Sequence, residues 1–217
     1  MNISDRIEPT DEHTDSSPAA LSGKRELTKT QNRQTILNAA RQVFADMGYG
    51  ATTVRDIIRA TPLASGTFYN YFKSKEEVYQ ALRAEVALTI RPRLREARQN
   101  ATTIKAFLSD TIRIYFDYIA TEKDNHRLIR AGVTAQLRLD TPEVIAGFEE
   151  LRQDLEQAMA SGLIPKIDAD YLMAAIVGAV LEVSRRMILR DTIDSAEAAD
   201  FVSNLILNGL QSMGKAS

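Results

Sequence analysis

The stretch Ser65-Gly66-Thr67-Phe68-Tyr69-Asn70-Tyr71-Phe72-Lys73-Ser74-Lys75-Glu76-Glu77 decides the reading of the fold. Five of the fourteen Phe and Tyr residues of the chain fall between Phe68 and Tyr79. Phe68 and Phe72 are four apart and share one helical face, which turns Thr67, Tyr69 and Asn70 outward beside Ser65. Ser74 followed three residues later by Glu77 is a capping box, so a new helix opens at Lys75 and the preceding one has to stop near Phe72. The spacing predicts a short helix over Ser65–Phe72, about 12 Å long and close to the width of a DNA major groove. Its outward hydroxyl and amide groups suit phosphate oxygens and base edges.

Upstream, Thr53 and Asp56 form a second capping-box pattern, Val54, Ile57 and Ile58 supply a buried face, and Pro62 disfavours helical geometry at Thr61. A helix of about two turns is expected there. Before it, Ile36, Leu37, Ala40, Val43 and Phe44 make one apolar stripe from about Thr30 to Met47, which Gly48 and Gly50 stop. Three helices in about forty residues, the last two short and separated by a tight turn, have the layout of a helix-turn-helix. Downstream, the helix from Lys75 passes through Val78, Leu82 and Val86 and is expected to end about Ile90, ahead of Pro92. Five further helices are read from helical periodicity, including a polar segment Asn125–Leu137, one capped by Thr141 with Pro142 in its first turn, one capped by Asp168, and a last one capped by Asp194 or Ser195. No alternating run of strand length appears. The expected fold is all-α with about nine helices: an N-terminal helix-turn-helix head and a larger C-terminal helical domain for ligand binding and dimerisation. The expected boundaries are a disordered acidic and polar tail over 1–28, the head over 29–90 and the body over 91–217.

Charge follows the same partition. From Lys24 to Lys75 nine basic residues stand against Glu26, Asp46 and Asp56, a balance of +6, whereas the whole chain of 217 residues sums to −2. A basic head on an acidic body points to a polyanionic partner for the head. There are no cysteines and two histidines, His13 and His126, which argues against thiolate zinc sites, disulfides and histidine relays; no catalytic residue, metal or cofactor is expected. The longest apolar run, Tyr171–Leu181, is eleven residues against the ~20 needed to cross a bilayer. A cytoplasmic chain beginning at Met1, without a secretory signal and without a membrane partner, is expected.

Lys75 adds an electrostatic argument. A cation in the first turn of a helix opposes the macrodipole, and a phosphate between Lys75 and the free amides would remove the conflict. Taken alone, Lys75 reads first as a solvated surface lysine.

At these residues the chain resembles the tetracycline-repressor (TetR) family. Phe44-x-x-x-Gly48-Tyr49-x-x-Thr52-Thr53-Val54-x-x-Ile57, followed by Gly66-Thr67-Phe68-Tyr69-Asn70-Tyr71-Phe72-x-x-Lys75-Glu76, is similar to its DNA-binding domain over about residues 30–90. The resemblance implies that the helix from Ser65 is the recognition helix, that Thr53, Tyr71 and Lys75 contact phosphates, and that Arg55, Ser65, Gly66, Thr67, Tyr69 and Asn70 reach bases or adjacent backbone. Three departures cluster at the turn: Ile58 and Thr61 stand where the family usually has alanine, and Pro62 where it has glycine. Proline cannot supply the left-handed geometry that glycine allows, and Ala64 cannot cap the third helix as a serine would, so a different path through the turn and a shifted interhelical angle are expected.

The body offers two apolar faces. The helix from Asp168 carries the small residues Ala174, Ala175, Gly178 and Ala179, and the last helix carries Phe201, Val202, Leu205, Ile206 and Leu210. Two such pairs make a four-helix bundle across a twofold axis, as the resemblance also implies, unless both stripes face the protomer's own core. A homodimer with heads about 34–36 Å apart would read both halves of an inverted-repeat operator in double-stranded DNA. The resemblance further implies a small-molecule effector among the middle helices. Tyr115, Tyr118, Phe148 and Met173 are apolar or aromatic candidates for its pocket and His126, Arg130 and Gln136 polar ones, although each also fits ordinary core or surface. Arg127, Arg130 and Arg138 suit an anionic ligand or a wet surface. The cluster Arg91, Arg93, Arg95 and Arg98 adds weak phosphate attraction or is simply solvated. The function expected is a ligand-responsive transcriptional repressor. The alternative is an all-α small-molecule carrier or enzyme that has lost DNA binding, and a nonspecific nucleoid protein is a third reading.

Overall fold

The computed structural model describes residues 18–122 and 141–215. Among them are eight helices and no strand: α1 Pro18–Met47, α2 Val54–Arg59, α3 Ser65–Tyr69, α4 Lys75–Asn100, α5 Ile104–Thr121, α6 Pro142–Ala160, α7 Ala169–Ile188 and α8 Ser195–Lys215. The all-α expectation holds. The segment Asn125–Leu137 and its expected helix lie outside the described residues.

Caps read from sequence are formed. Thr53 Oγ1 accepts from the Asp56 amide while the Asp56 carboxylate accepts from the Thr53 amide at 2.9 Å, closing the box at the start of α2. Ser74 accepts from the Glu77 amide, but Glu77 reaches back one residue further, to the Lys73 amide at 2.7 Å. Thr141, Asp168 and Asp194 cap α6, α7 and α8. Gly48 and Gly162 both stand at φ 76°, the left-handed geometry that ends α1 and α6 and that only glycine adopts without cost.

Three boundaries differ from expectation. α1 begins at Pro18, so residues 18–28, expected within the tail, are helical; residues 23–30 are all exposed, so the backbone ladder rather than burial holds the helix there. α3 stops at Tyr69 rather than Phe72, although the Phe72 amide still donates to the Phe68 carbonyl at 3.0 Å. The Lys73–Glu77 bond and the Ser74 cap force the chain out of the helix before α4. α4 itself runs through Pro92 to Asn100. An interior proline costs a helix about 3 kcal/mol. Here buried Ile90 and half-buried Leu94 pack into the body on either side of it, and Arg91 and Arg98 are ion-paired to α6, which offsets that cost.

Two apolar cores result. The head closes around Ile36, Leu37 and Phe44 of α1, Ile57 of α2, Phe68 of α3, Phe72, and Val78, Tyr79 and Leu82 of α4. The body core lies between α5, which packs against both α4 and α8, and α6–α8, with Phe116, Leu155, Ile188 and Val202 fully enclosed. α4 serves both.

Candidate DNA interface and ligand cavity

In α3, Phe68 and Phe72 turn inward, 2% and 4% exposed, with ring centroids 6.1 Å apart. The same register leaves Ser65, Gly66, Tyr69 and Asn70 on the surface and Thr67 half-buried. Tyr69 is 60% exposed and is held edge-on against Phe68 at 5.4 Å. A Cβ built on Gly66 meets nothing within 4 Å, so the fold itself does not require glycine there. Thr53 and Arg55 are exposed on the neighbouring start of α2, and Tyr71 is half-buried against the head core. Arg55, Arg59 and Lys73 are exposed and form no ion pair among the described residues.

The turn between α2 and α3 avoids any left-handed residue, as Pro62 requires. Thr61 organises it instead: its hydroxyl donates to the Ile58 carbonyl at 2.8 Å and accepts from the Leu63 amide at 3.3 Å. Ala64 makes no side-chain cap, as expected.

Lys75 has partners that spacing did not reveal. Its ammonium donates to the carbonyls of Tyr49 and Thr52, both at 2.8 Å, and more weakly to that of Gly50 at 3.4 Å. It also lies 4.5 Å from the centre of the Tyr49 ring. The conflict with the helix dipole is thus relieved by backbone carbonyls from the loop after α1. Tyr49 in turn donates to Glu76 at 2.8 Å. Burial pushes the Tyr49 phenol well above its usual range, and that hydrogen bond to Glu76 pushes the same way. For Glu76 burial acts against the carboxylate, yet the bonds from Tyr49 and its helix start hold it below the ordinary value.

The body contains a cavity of about 600 Å³, within the usual range for small-molecule sites. It is lined by α4, α5, α6 and α7, with Arg41 of α1 also on its wall, and is mainly apolar. Tyr115 and Phe148 line it, as the sequence suggested. Tyr115 is half-buried there, and desolvation raises its phenol pKa. Tyr118 sits in the body core and Met173 packs half-buried against it, neither of them on the cavity wall. His126, Arg130 and Gln136, with Arg127 and Arg138, lie outside the described residues. Periodicity missed Tyr79 and Arg83, one turn apart on α4 and both facing the cavity. The available signal was a charged residue, Arg83, standing in line with Tyr79, Val86 and Ile90 on an otherwise apolar stripe.

Of the arginines around Pro92, Arg91 and Arg98 face α6, whereas Arg93 is exposed and forms no ion pair among the described residues. Arg91 makes two bonds to Glu150, at 2.6 and 3.1 Å, and Arg98, 5% exposed in its side chain, meets Asp154 at 2.6 Å. Arg95 lies 3.8 Å from Glu150. The Arg91 bonds hold the Glu150 carboxyl below its ordinary value, against the opposing effect of burial. Arg91 and Arg98 form a clasp between α4 and α6, which corrects the expectation of phosphate attraction or idle solvation for these two.

Residues 36–82, the span that builds the head core and carries α2 and α3, match the family model of bacterial regulatory proteins, tetR family. The chain belongs to the TetR family. TetR-family relatives extend the likeness well beyond the head. The transcriptional repressor DhaR of Mycobacterium sp. (strain GP1) is 26% identical over 172 residues, covering 71% of this chain and 83% of DhaR. The transcriptional repressor AcnR of Corynebacterium efficiens is 30% identical over 137 residues, 63% of this chain and 66% of AcnR. Among solved structures, the transcriptional regulator FadR from Bacillus subtilis, in complex with stearoyl-CoA, superposes with a TM-score of 0.67 at 26% identity, covering 81% of this chain and 98% of FadR. As a TetR-family member the chain is a helix-turn-helix transcriptional regulator, and no helix among the described residues is long and apolar enough to cross a membrane.

Proposed function

We propose that this TetR-family chain is a cytoplasmic, non-enzymatic repressor that binds an inverted-repeat operator as a homodimer and lets go when a small molecule fills the body cavity. DNA binding belongs to residues 29–90 and dimerisation to 91–217, while the effector cavity draws Arg41 and the first half of α4 from the first span and its other walls from the second. The observation that carries the reading is the outward face of α3: Ser65, Gly66, Tyr69 and Asn70 stand free on a closed core, beside unpaired Arg55 and Lys73. Thr67 lies between them, Thr53 and Tyr71 reach the flanking backbone, and Lys75 holds the loop over residues 49–52 at the same edge. The open space over Gly66 lets a groove approach α3 closely.

For the dimer, α8 splits its stripe. Val202 and Leu210 close the protomer core, while Phe201 and Leu205 are 60% and 56% exposed, and α7 leaves Tyr171, Ala174, Ala175 and Gly178 on its surface. Apolar surface of that extent marks an association site. The mainly apolar cavity, and the stearoyl-CoA held by FadR, favour an effector with an apolar body. Such a ligand releases DNA only if its affinity differs between the operator-bound spacing of the heads and another one, with a typical coupling of about 1–3 kcal/mol.

The test is a mobility shift with the DNA upstream of the chain's own gene. Saturable binding that survives competitor DNA is expected; equal binding to all sequences that vanishes with modest salt would mean phosphate contacts alone. Tyr71→Phe and Lys75→Ala should weaken binding to every sequence, whereas Asn70→Ala should alter the preference between sequences.

A further inference from the structure

We infer that Arg83 and Tyr79 form a headgroup subsite for a carboxylate, so that the effector is a monoanionic amphiphile whose apolar body fills the rest of the cavity. The inference rests on the cavity being the effector site. Two buried polar atoms among the described residues have no hydrogen-bond partner, the Tyr79 hydroxyl and Arg83 Nε. Both residues line the cavity. Tyr79 is 2% exposed, so water does not reach its hydroxyl from outside. A buried donor left unsatisfied costs about 1–3 kcal/mol, which a ligand oxygen would recover. Two such donors one helical turn apart, on one wall of one cavity, describe a single acceptor group between them.

Charge selects the acceptor. The other arginines of the wall are already matched: Arg41 pairs with Glu85, Arg91 with Glu150, Arg98 with Asp154 and Arg185 with Glu182. Arg83 forms no ion pair among the described residues. The wall's remaining free carboxylate, Glu143, begins α6 four residues before Gly147, whose added Cβ would meet Arg91, two turns along α4 from Arg83. The Arg83 end of an apolar cavity therefore keeps an uncompensated cation, and a carboxylate accepting from Arg83 and from the Tyr79 hydroxyl makes two hydrogen bonds of the strong, charge-assisted kind.

The experiment is calorimetric titration of the full-length protein, without DNA, using dodecanoate, dodecanol and dodecanoyl-CoA below their micellar range. Dodecanoate should bind about tenfold more tightly than dodecanol, the size of one charge-assisted hydrogen bond. Arg83→Met should erase that preference while leaving dodecanol affinity in place, which also shows that the cavity has kept its shape, and Tyr79→Phe should reduce it severalfold. Equal affinities for acid and alcohol would overturn the inference, as would a preference that survives Arg83→Met, or dodecanoyl-CoA binding more tightly than dodecanoate with no loss in that variant. Operator binding is read separately by mobility shift. A carboxylate preference in a protein that does not bind its operator defeats the repressor reading alone, and operator release by a neutral amphiphile defeats the subsite alone.

Discussion

The head and the body of this chain solve the packing problem in opposite ways. In the head, short helices close around rings: Phe44, Tyr49 and Tyr79 stand 5.3 to 6.1 Å apart, Phe68 and Phe72 complete the cluster, and the loop that cannot form a helix is fastened by the Lys75 ammonium. The body uses longer helices with mostly aliphatic faces and leaves about 600 Å³ unfilled between them. Its walls are tied at the edges by Arg91, Arg98, Glu150 and Asp154 instead. A region that must present a fixed surface is packed to completion, and a region that must accept a guest is braced around a gap.

That contrast breaks most visibly at Phe44, which is fully enclosed. Phe44→Ala should destabilise the protein by about 3–5 kcal/mol and abolish operator binding, whereas Phe148→Ala, on the wall of an existing cavity, should cost about 1 kcal/mol because little new void is made. Denaturant titration of both variants measures the difference, and equal losses would mean that the cavity wall is packed like the head. Next in size, Arg98→Ala leaves Asp154 beside a buried gap and should cost about 3 kcal/mol in the same assay.

Acid should act on the body's brace. The Glu150 carboxyl is held below its ordinary 4.5, so it contributes stability above that pH and loses it as pH falls through the lower folded value. The difference in thermal midpoint between wild type and Glu150→Gln should therefore shrink below pH 4.5. The smallest effect separates surface from scaffold: Gly66→Ala should raise stability by about 0.5 kcal/mol, because nothing obstructs the added methyl, while operator affinity falls. A mobility shift unchanged by that methyl would place α3 farther from the groove than proposed.

What could be read in advance was local. Thr53 with Asp56, Ser74, Thr141 and Asp168 announce helix starts because a cap needs only residues within three positions, and Gly48 and Gly162 announce ends for the same reason. What could not be read depends on partners far away in sequence. Pro92 looks like a terminator until Glu150 and Asp154 arrive from α6, and Lys75 looks like an anion site until the carbonyls of Tyr49 and Thr52 arrive across 26 and 23 positions. The candidate interface was legible because α3 sorts its own faces, inward Phe68 and outward Tyr69. The cavity was legible only at Tyr115 and Phe148, since its walls come from different helices and Tyr79 and Arg83 lie on a stripe that reads as plain core.

Tyr79 belongs to both regions, packed in the head's aromatic cluster and counted in the lining of the cavity. Evolution therefore cannot retune chemical selectivity at this position without also disturbing the reader of DNA. Descendants that acquire new inducers should change first at Phe148, half-buried on the cavity wall, and keep an aromatic residue at 79 long after the molecule they sense has changed.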